Sequence, residues 1–230
     1  MKSRWYGWGL VAYLVVTPGF LPAAEDAALQ ALVDRVDAHY ARLNAFKAQF
    51  VQRFERRLIR RTLVESGRVA FKRPGKMRWE YELPEEKLFV SDGEKTYFYL
   101  PAERQVMVSQ DSSGGGAMSM AEGSPFELLA GKAKLRDTFD YFRTASEPQL
   151  GGEMIELVPF KRQNAFEQIE LEVDSASGKI LRVILVDAQS DRTEFSFESI
   201  EENVEIPNEQ FRFSIPSGVD VVVAPADSPR

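Results

Sequence analysis

The chain of 230 residues contains no cysteine and only one histidine, His39. Without cysteine there is no disulfide framework, so the fold must be held by burial. The same absence removes the lipid-modified cysteine that tethers a bacterial lipoprotein, as well as thiol catalysis. With a single histidine, the common zinc sites are excluded too. No Gly-x-Ser-x-Gly, phosphate-loop or dinucleotide fingerprint is present. Carboxylates such as Asp92, Glu122 and Asp140 are plentiful, but nothing in their spacing pairs them at a site. Basic charge is also in short supply: the formal net charge is −6, which disfavours general nucleic-acid binding. No fixed-period repeat and no break in composition divides the chain, and 44% hydrophobic content suffices for one core or a core with a cavity.

What is present begins with a leader. Lys2 and Arg4 precede an apolar run from Trp5 to Val16, followed by Pro18, Gly19 and the small pair Ala23-Ala24. This is the layout of a cleaved export signal over residues 1–24, and the run is shorter than the ~20 residues of a bilayer span. The leader carries two basic residues and no acid, so its removal takes the net charge from −6 to −8. The remainder reads as one domain over 25–223 with a disordered tail at 224–230.

Leu29, Leu32, Val33, Val36, Tyr40 and Leu43 recur at three-and-four spacing, the apolar stripe of an amphipathic helix. The period then drops to two. Phe46, Ala48, Phe50 and Phe54 alternate with polar residues, as do Val69 and Phe71, and Met77, Trp79 and Tyr81. Further strands are predicted near 87–91, 94–100, 104–109, 152–159, 166–174, 179–187 and 192–200, punctuated by Asp92-Gly93, Gly151-Gly152 and Ser177-Gly178. The period breaks between Asp111 and Asp140, where Ser124-Pro125-Phe126-Glu127-Leu128-Leu129 predicts a short capped helix on a glycine-rich tether. Phe211-x-Phe213-x-x-Pro216-x-Gly218-Val219-x-Val221 reads as a late strand and turn. The expected class is mainly β: an antiparallel meander that curls toward closure, with an N-terminal helix.

Phe46-x-Ala48-x-Phe50-x-Gln52, Lys72-Arg73-Pro74-x-x-x-x-Trp79, Val90-Ser91-Asp92-Gly93, Tyr97-Phe98-Tyr99-Leu100-Pro101, Ser124-Pro125-Phe126-x-Leu128-Leu129 and the closing Phe-x-Phe-x-x-Pro-x-Gly-Val succeed one another from about 46 to 221. In order and spacing they resemble the LolA family of periplasmic lipoprotein carriers. The resemblance implies an incomplete antiparallel β-barrel with a helical lid over a hydrophobic cavity that receives acyl chains. It also implies three partners: acylated lipoproteins, an inner-membrane lipoprotein-releasing ABC transporter complex, and an outer-membrane acceptor. A monomer without a cofactor is expected. Arg73 stands where the family places the arginine that latches the lid; Met77 and Glu127 depart from the residues of enterobacterial members.

On residue grounds alone, alternatives stay open. Phe50, Phe71, Met77, Trp79, Tyr81, Tyr97 and Tyr99 are either the wall of an acyl-chain cavity or a filled sheet core, with Phe126, Leu128 and Leu129 as lid. Arg73 shares parity with Phe71 and Val69, so it either faces the apolar side or snorkels outward before Pro74. The run Arg53, Arg56, Arg57, Arg60, Arg61 surrounds a hairpin tip, as a solvated face or as a docking surface for an acidic partner or anionic lipid. His39 flanks the helix stripe as a half-exposed residue. A carrier or sensor for another lipid, or a periplasmic hydrolase, are the competing functions. Export predicts a periplasmic product that lacks Trp5 and Trp8, leaving Trp79 as its single tryptophan. N-terminal sequencing that finds Met1 retained in washed membranes would overturn this.

Overall fold

The structure is a computed structural model and describes residues 22–109, 134–161 and 166–223. Helix α1 (Pro22–Arg42) is followed by β1 (Ala45–Arg56), β2 (Arg61–Lys72), β3 (Lys76–Leu83), β4 (Lys87–Asp92), β5 (Thr96–Leu100) and β6 (Gln105–Ser109). After a short α2 (Leu135–Thr138) come β7 (Phe139–Arg143), β8 (Glu153–Pro159), β9 (Gln168–Val173), β10 (Ile180–Val186), β11 (Arg192–Glu202) and β12 (Asp220–Val223). All the strands join one sheet in the order β12-β6-β5-β4-β3-β2-β1-β11-β10-β9-β8-β7. The two ends of that order do not pair, so the barrel is incomplete, as expected.

Cross-strand register separates the faces. Phe46 opposes Phe71, Ala48 opposes Val69, and Phe50 faces Gly67 across β1 and β2; Phe71, Val69 and Gly67 then oppose Met77, Trp79 and Tyr81 of β3. On the other side of β1, Phe50 opposes Phe197, and the same face continues through Phe195, Val183, Leu171 and Ile155. These residues form one core cluster with Leu29, Leu32, Val33, Val36 and Tyr40 of α1 and with Leu43 just beyond its end. The helix therefore lies in the concave face, and burying each of its large apolar side chains is worth roughly 2 kcal/mol. Gly67 sits at the sharpest approach, beside a register shift in β2. A Cβ there would lie 1.8 Å from the Glu80 carbonyl oxygen.

Several expectations are corrected. The late strand does not start at Phe211: Asn208–Phe211 is a 3-10 turn, and the strand is β12. It runs parallel to β6, so the sheet is not wholly antiparallel. Phe139–Arg143, which starts at the end of the Asp111–Asp140 break and is given no strand by the sequence pattern, is edge strand β7. The predicted lid helix at Ser124–Leu129, the leader before Pro22 and the tail at 224–230 lie outside the described residues.

The convex face of β8 to β11 holds a buried ionic network. Arg182 Nε donates to Glu172 Oε2 at 2.9 Å with both side chains almost fully buried, and Arg182 also reaches Glu194 and the Glu147 carbonyl. Glu172 accepts the backbone N–H groups of Gln149, Leu150 and Gly152, which pins the loop before β8. Burial alone would raise the Glu172 carboxyl, but these three donors and Arg182 outweigh it and hold it below its ordinary 4.5. A depressed folded value means the stabilisation is complete above that ordinary value and is lost as pH falls through the folded one. Glu172→Gln should leave Arg182 with only the longer contact to Glu194 and cost about 3 kcal/mol at neutral pH. It should also flatten the acid limb of stability, as measured by denaturant unfolding across the carboxylate range. An unchanged acid limb would show that other carboxylates carry it.

Candidate functional site

The concave face places an aromatic cluster under α1. Phe50 is central, with its ring centroid 4.8 Å from Trp79 and 5.0 Å from Tyr81, both edge-on. Phe195 extends the cluster 5.6 Å from Trp79, Phe71 packs beside Phe46, and Met77 Sδ accepts the Trp79 indole N–H. Phe50, Phe71 and Trp79 are each 1% exposed, and Met77 and Tyr81 are buried with them. Five of the expected wall residues thus share one apolar surface.

Tyr97 and Tyr99 do not. Trp79 opposes Phe89 and Phe89 opposes Phe98, which puts Phe98 on the concave side and its two neighbours on the convex side. There Tyr97 and Tyr99 pack on Phe213, each 5.5 Å away between centroids. Sequence reading missed Phe89 and Phe98 as wall residues; a run of three consecutive aromatics gives no parity preference, and only pairing settles it.

The concave face becomes polar toward the β1–β2 hairpin. Gln52 opposes Glu65, and Tyr81 opposes Lys87. Tyr81 Oη donates to Gln52 Oε1 at 2.7 Å, and Lys87 pairs with the buried Glu65. Burial and the Glu65 charge push the Tyr81 hydroxyl well above its ordinary value, so it stays a protonated donor.

At the opposite end stands Arg73. Its Nη1 donates to the Ala41 carbonyl at 3.1 Å and its Nη2 to the Tyr40 carbonyl. These are among the last carbonyls of α1, which have no partner within the helix, and the cation also sits at the negative end of the helix dipole. Arg73 Nε is buried with no hydrogen-bond partner among the described residues. The arginine faces inward as its parity suggests, and its observed hold is on α1; the lid segment at 126–129 is outside the described residues. Other contacts fix the same helix: Tyr40 Oη accepts the Ile180 N–H at 3.1 Å, Asp37 accepts the Leu135 N–H at 2.7 Å, and His39 bonds Glu202 at 3.0 Å. His39 is therefore a helix-to-strand contact. A separate cleft of about 720 Å³ on the convex face is lined by Lys47, Arg68, Arg78, Glu80, Glu201 and Arg212, and its charge makes it unsuited to hydrocarbon. No cluster of metal-ligating side chains occurs among the described residues.

Sequence comparison decides what this architecture belongs to. Residues 41–214 match the profile of the family described as outer membrane lipoprotein carrier protein LolA. The chain belongs to this family. An outer-membrane lipoprotein carrier protein of Nitrosospira multiformis is 37% identical over 158 residues, 68% of this chain and 72% of the relative. One from Dechloromonas aromatica is 33% identical over 191 residues, covering 83% and 86%. A crystal structure of an uncharacterized conserved protein from Thermus thermophilus shares the fold at TM-score 0.52 and 17% identity, over 85% of this chain and 98% of that one.

Arg73→Leu should release the last turn of α1 while leaving the apolar stripe in place. Hydrogen exchange at the amides of 40–44 is then expected to accelerate roughly tenfold, the low end for bonds to a charged donor. Unchanged exchange there would mean that Tyr40, Asp37 and His39 hold the helix without it.

Proposed function

We propose that this chain is a periplasmic carrier that shelters the acyl chains of lipoproteins against its concave face. It takes them from an inner-membrane lipoprotein-releasing ABC transporter complex and gives them up to an outer-membrane acceptor, a receptor or the membrane itself. The observation that carries this reading is the aromatic surface of Phe50, Phe71, Met77, Trp79 and Tyr81 inside an unclosed sheet, covered by a helix, in a member of the lipoprotein carrier family. The protein works as a monomer, without a cofactor and without covalent chemistry.

The physical task is desolvation. Each methylene removed from water is worth roughly 0.8 kcal/mol, so one long acyl chain amounts to about 10 kcal/mol and cannot cross an aqueous space bare. A carrier that bound as tightly as a bilayer would never unload. In this proposal α1, and a lid formed by Phe126, Leu128 and Leu129, cover the aromatic surface when no cargo is present. Cargo must displace that cover, so its net affinity falls by the free energy of the contacts it breaks. Arg73 is the latch: its hydrogen bonds to Tyr40 and Ala41 favour the covered state and so favour release.

An acylated peptide is expected to shift Trp79 emission while its unacylated counterpart does not. Arg73→Leu should load as well as the parent and release to acceptor membranes roughly tenfold more slowly, about 1.4 kcal/mol, with Arg73→Lys intermediate because an ammonium lacks the planar fork. Equal emission changes with both peptides would remove the acyl site, and normal release from the Leu variant would remove the latch. A different lipid copurifying in mass spectra would reassign the cargo.

A further inference from the structure

The β1–β2 hairpin carries a surface that the carrier reading does not use. Its turn spans residues 57–60, with Leu58 and Ile59 at the apex, 94% and 57% exposed. Below the apex Leu63 and Val64 point to opposite faces of β2 and are also largely exposed. Beyond Ser66 the hairpin runs past the end of β3 pairing, so on that side it projects from the sheet. Around this apolar tip stand Arg53, Arg56, Arg57, Arg60 and Arg61, with Glu55 the only acid between 53 and 61. None of the five guanidinium groups pairs with a carboxylate among the described residues; Arg56 lies 5.5 Å from the Phe54 ring, and Asp191 accepts only the Arg57 backbone N–H. The turn is held in place by that bond and by Arg60 in the left-handed region at φ 49°. The protein as a whole is acidic, so a local charge of +4 over nine residues is a concentrated exception.

We infer that this hairpin docks the protein on a bilayer leaflet bearing anionic phospholipid, with Leu58 and Ile59 entering the headgroup boundary and the arginine collar meeting lipid phosphates. An apolar apex with cations one residue behind it on both sides of the turn matches the layering of a membrane surface, where hydrocarbon lies just below a plane of phosphate. An acidic protein segment would be served by the arginines alone and would leave two large aliphatic side chains in water at the apex. Guanidinium groups suit phosphate oxygens through their planar forks. A collar of five also makes the contact salt dependent and reversible, as a docking that must end requires.

The inference does not rest on the carrier reading, and its test separates the two. The chain contains no cysteine, so after removal of the leader a single environment-sensitive fluorophore can be placed through Leu58→Cys. A control goes at Ala176→Cys, in the exposed turn at the far end of β10. On vesicles of phosphatidylethanolamine with phosphatidylglycerol at low salt, the probe at 58 should shift to the blue and the probe at 176 should not. Purely zwitterionic vesicles should give neither shift, and high salt should reverse the first. The double variant Arg57→Gln/Arg60→Gln should lower vesicle partitioning about fivefold per arginine, and Leu58→Ser/Ile59→Ser should abolish the blue-shifted state in a probe moved to Arg57→Cys. Both variants alter exposed turn side chains, and their Trp79 response to acylated peptide should be unchanged, which checks both fold and carrier activity. Absence of partitioning onto anionic vesicles, or partitioning equal in parent and arginine variant, overturns the proposal. Retention of the parent on immobilised polyglutamate without vesicle binding would overturn it too, in favour of an acidic protein partner.

Discussion

A sheet that curls without closing leaves an apolar concave face that backbone hydrogen bonds cannot cover, and the seating of α1 in that face is the constraint on which the rest of the structure depends. β7 and β12 are free ends of the strand order, so no ladder holds the two halves together across the opening. The joint core of α1, β1 to β4 and β8 to β11 does so instead. Gly67 allows β2 and β3 to approach at the bend, and Gly178, at φ 78°, brings the β9–β10 turn under the Arg35 carbonyl of α1. Helix and sheet are thus shaped to each other.

The contacts that hold α1 are of two kinds with different consequences. Its apolar stripe contributes most of the free energy but is indifferent to what else apolar lies against the sheet, because hydrophobic burial is not directional. The polar contacts of Arg73, Tyr40, Asp37 and His39 are weaker but specific to the seated helix. In the proposed carrier, hydrocarbon can replace the first kind and not the second. Affinity is then tempered by a few hydrogen bonds at the helix end. The Arg182–Glu172 network on the convex side, buried and fully bonded, lies in the half of the sheet that this exchange leaves alone.

Much of this was legible in the chain. The stripe from Leu29 to Leu43 predicts the helix and its buried side, and all six of its residues are buried. Alternation in Met77-x-Trp79-x-Tyr81 predicts the inward face of β3. The order of motifs from Phe46 to Val221 points to the family that the profile match shows. Where reading failed, the failures share a cause. Tyr97-Phe98-Tyr99 is apolar on both parities because the convex side of β5 is itself covered, by Phe213. Phe211 and Phe213 look like a strand, but Phe211 is buried with Ala45 and Ile206 in a small convex cluster, and packing there overrides β propensity. The pairing of Arg182 with Glu172 joins residues on adjacent strands whose partners no local pattern names.

By itself the sequence determined the periodicities, and with them the helix stripe, the strand parities, the hairpin with its arginines and the exclusion of thiol catalysis. These are local properties, set by side chains a few residues apart. Only the tertiary structure decided which parity faces inward in β5, that β12 joins parallel to β6, and that Arg73 grips the end of α1. Each of those depends on contacts between segments distant in sequence, where one residue of register turns a side chain from one face of the sheet to the other.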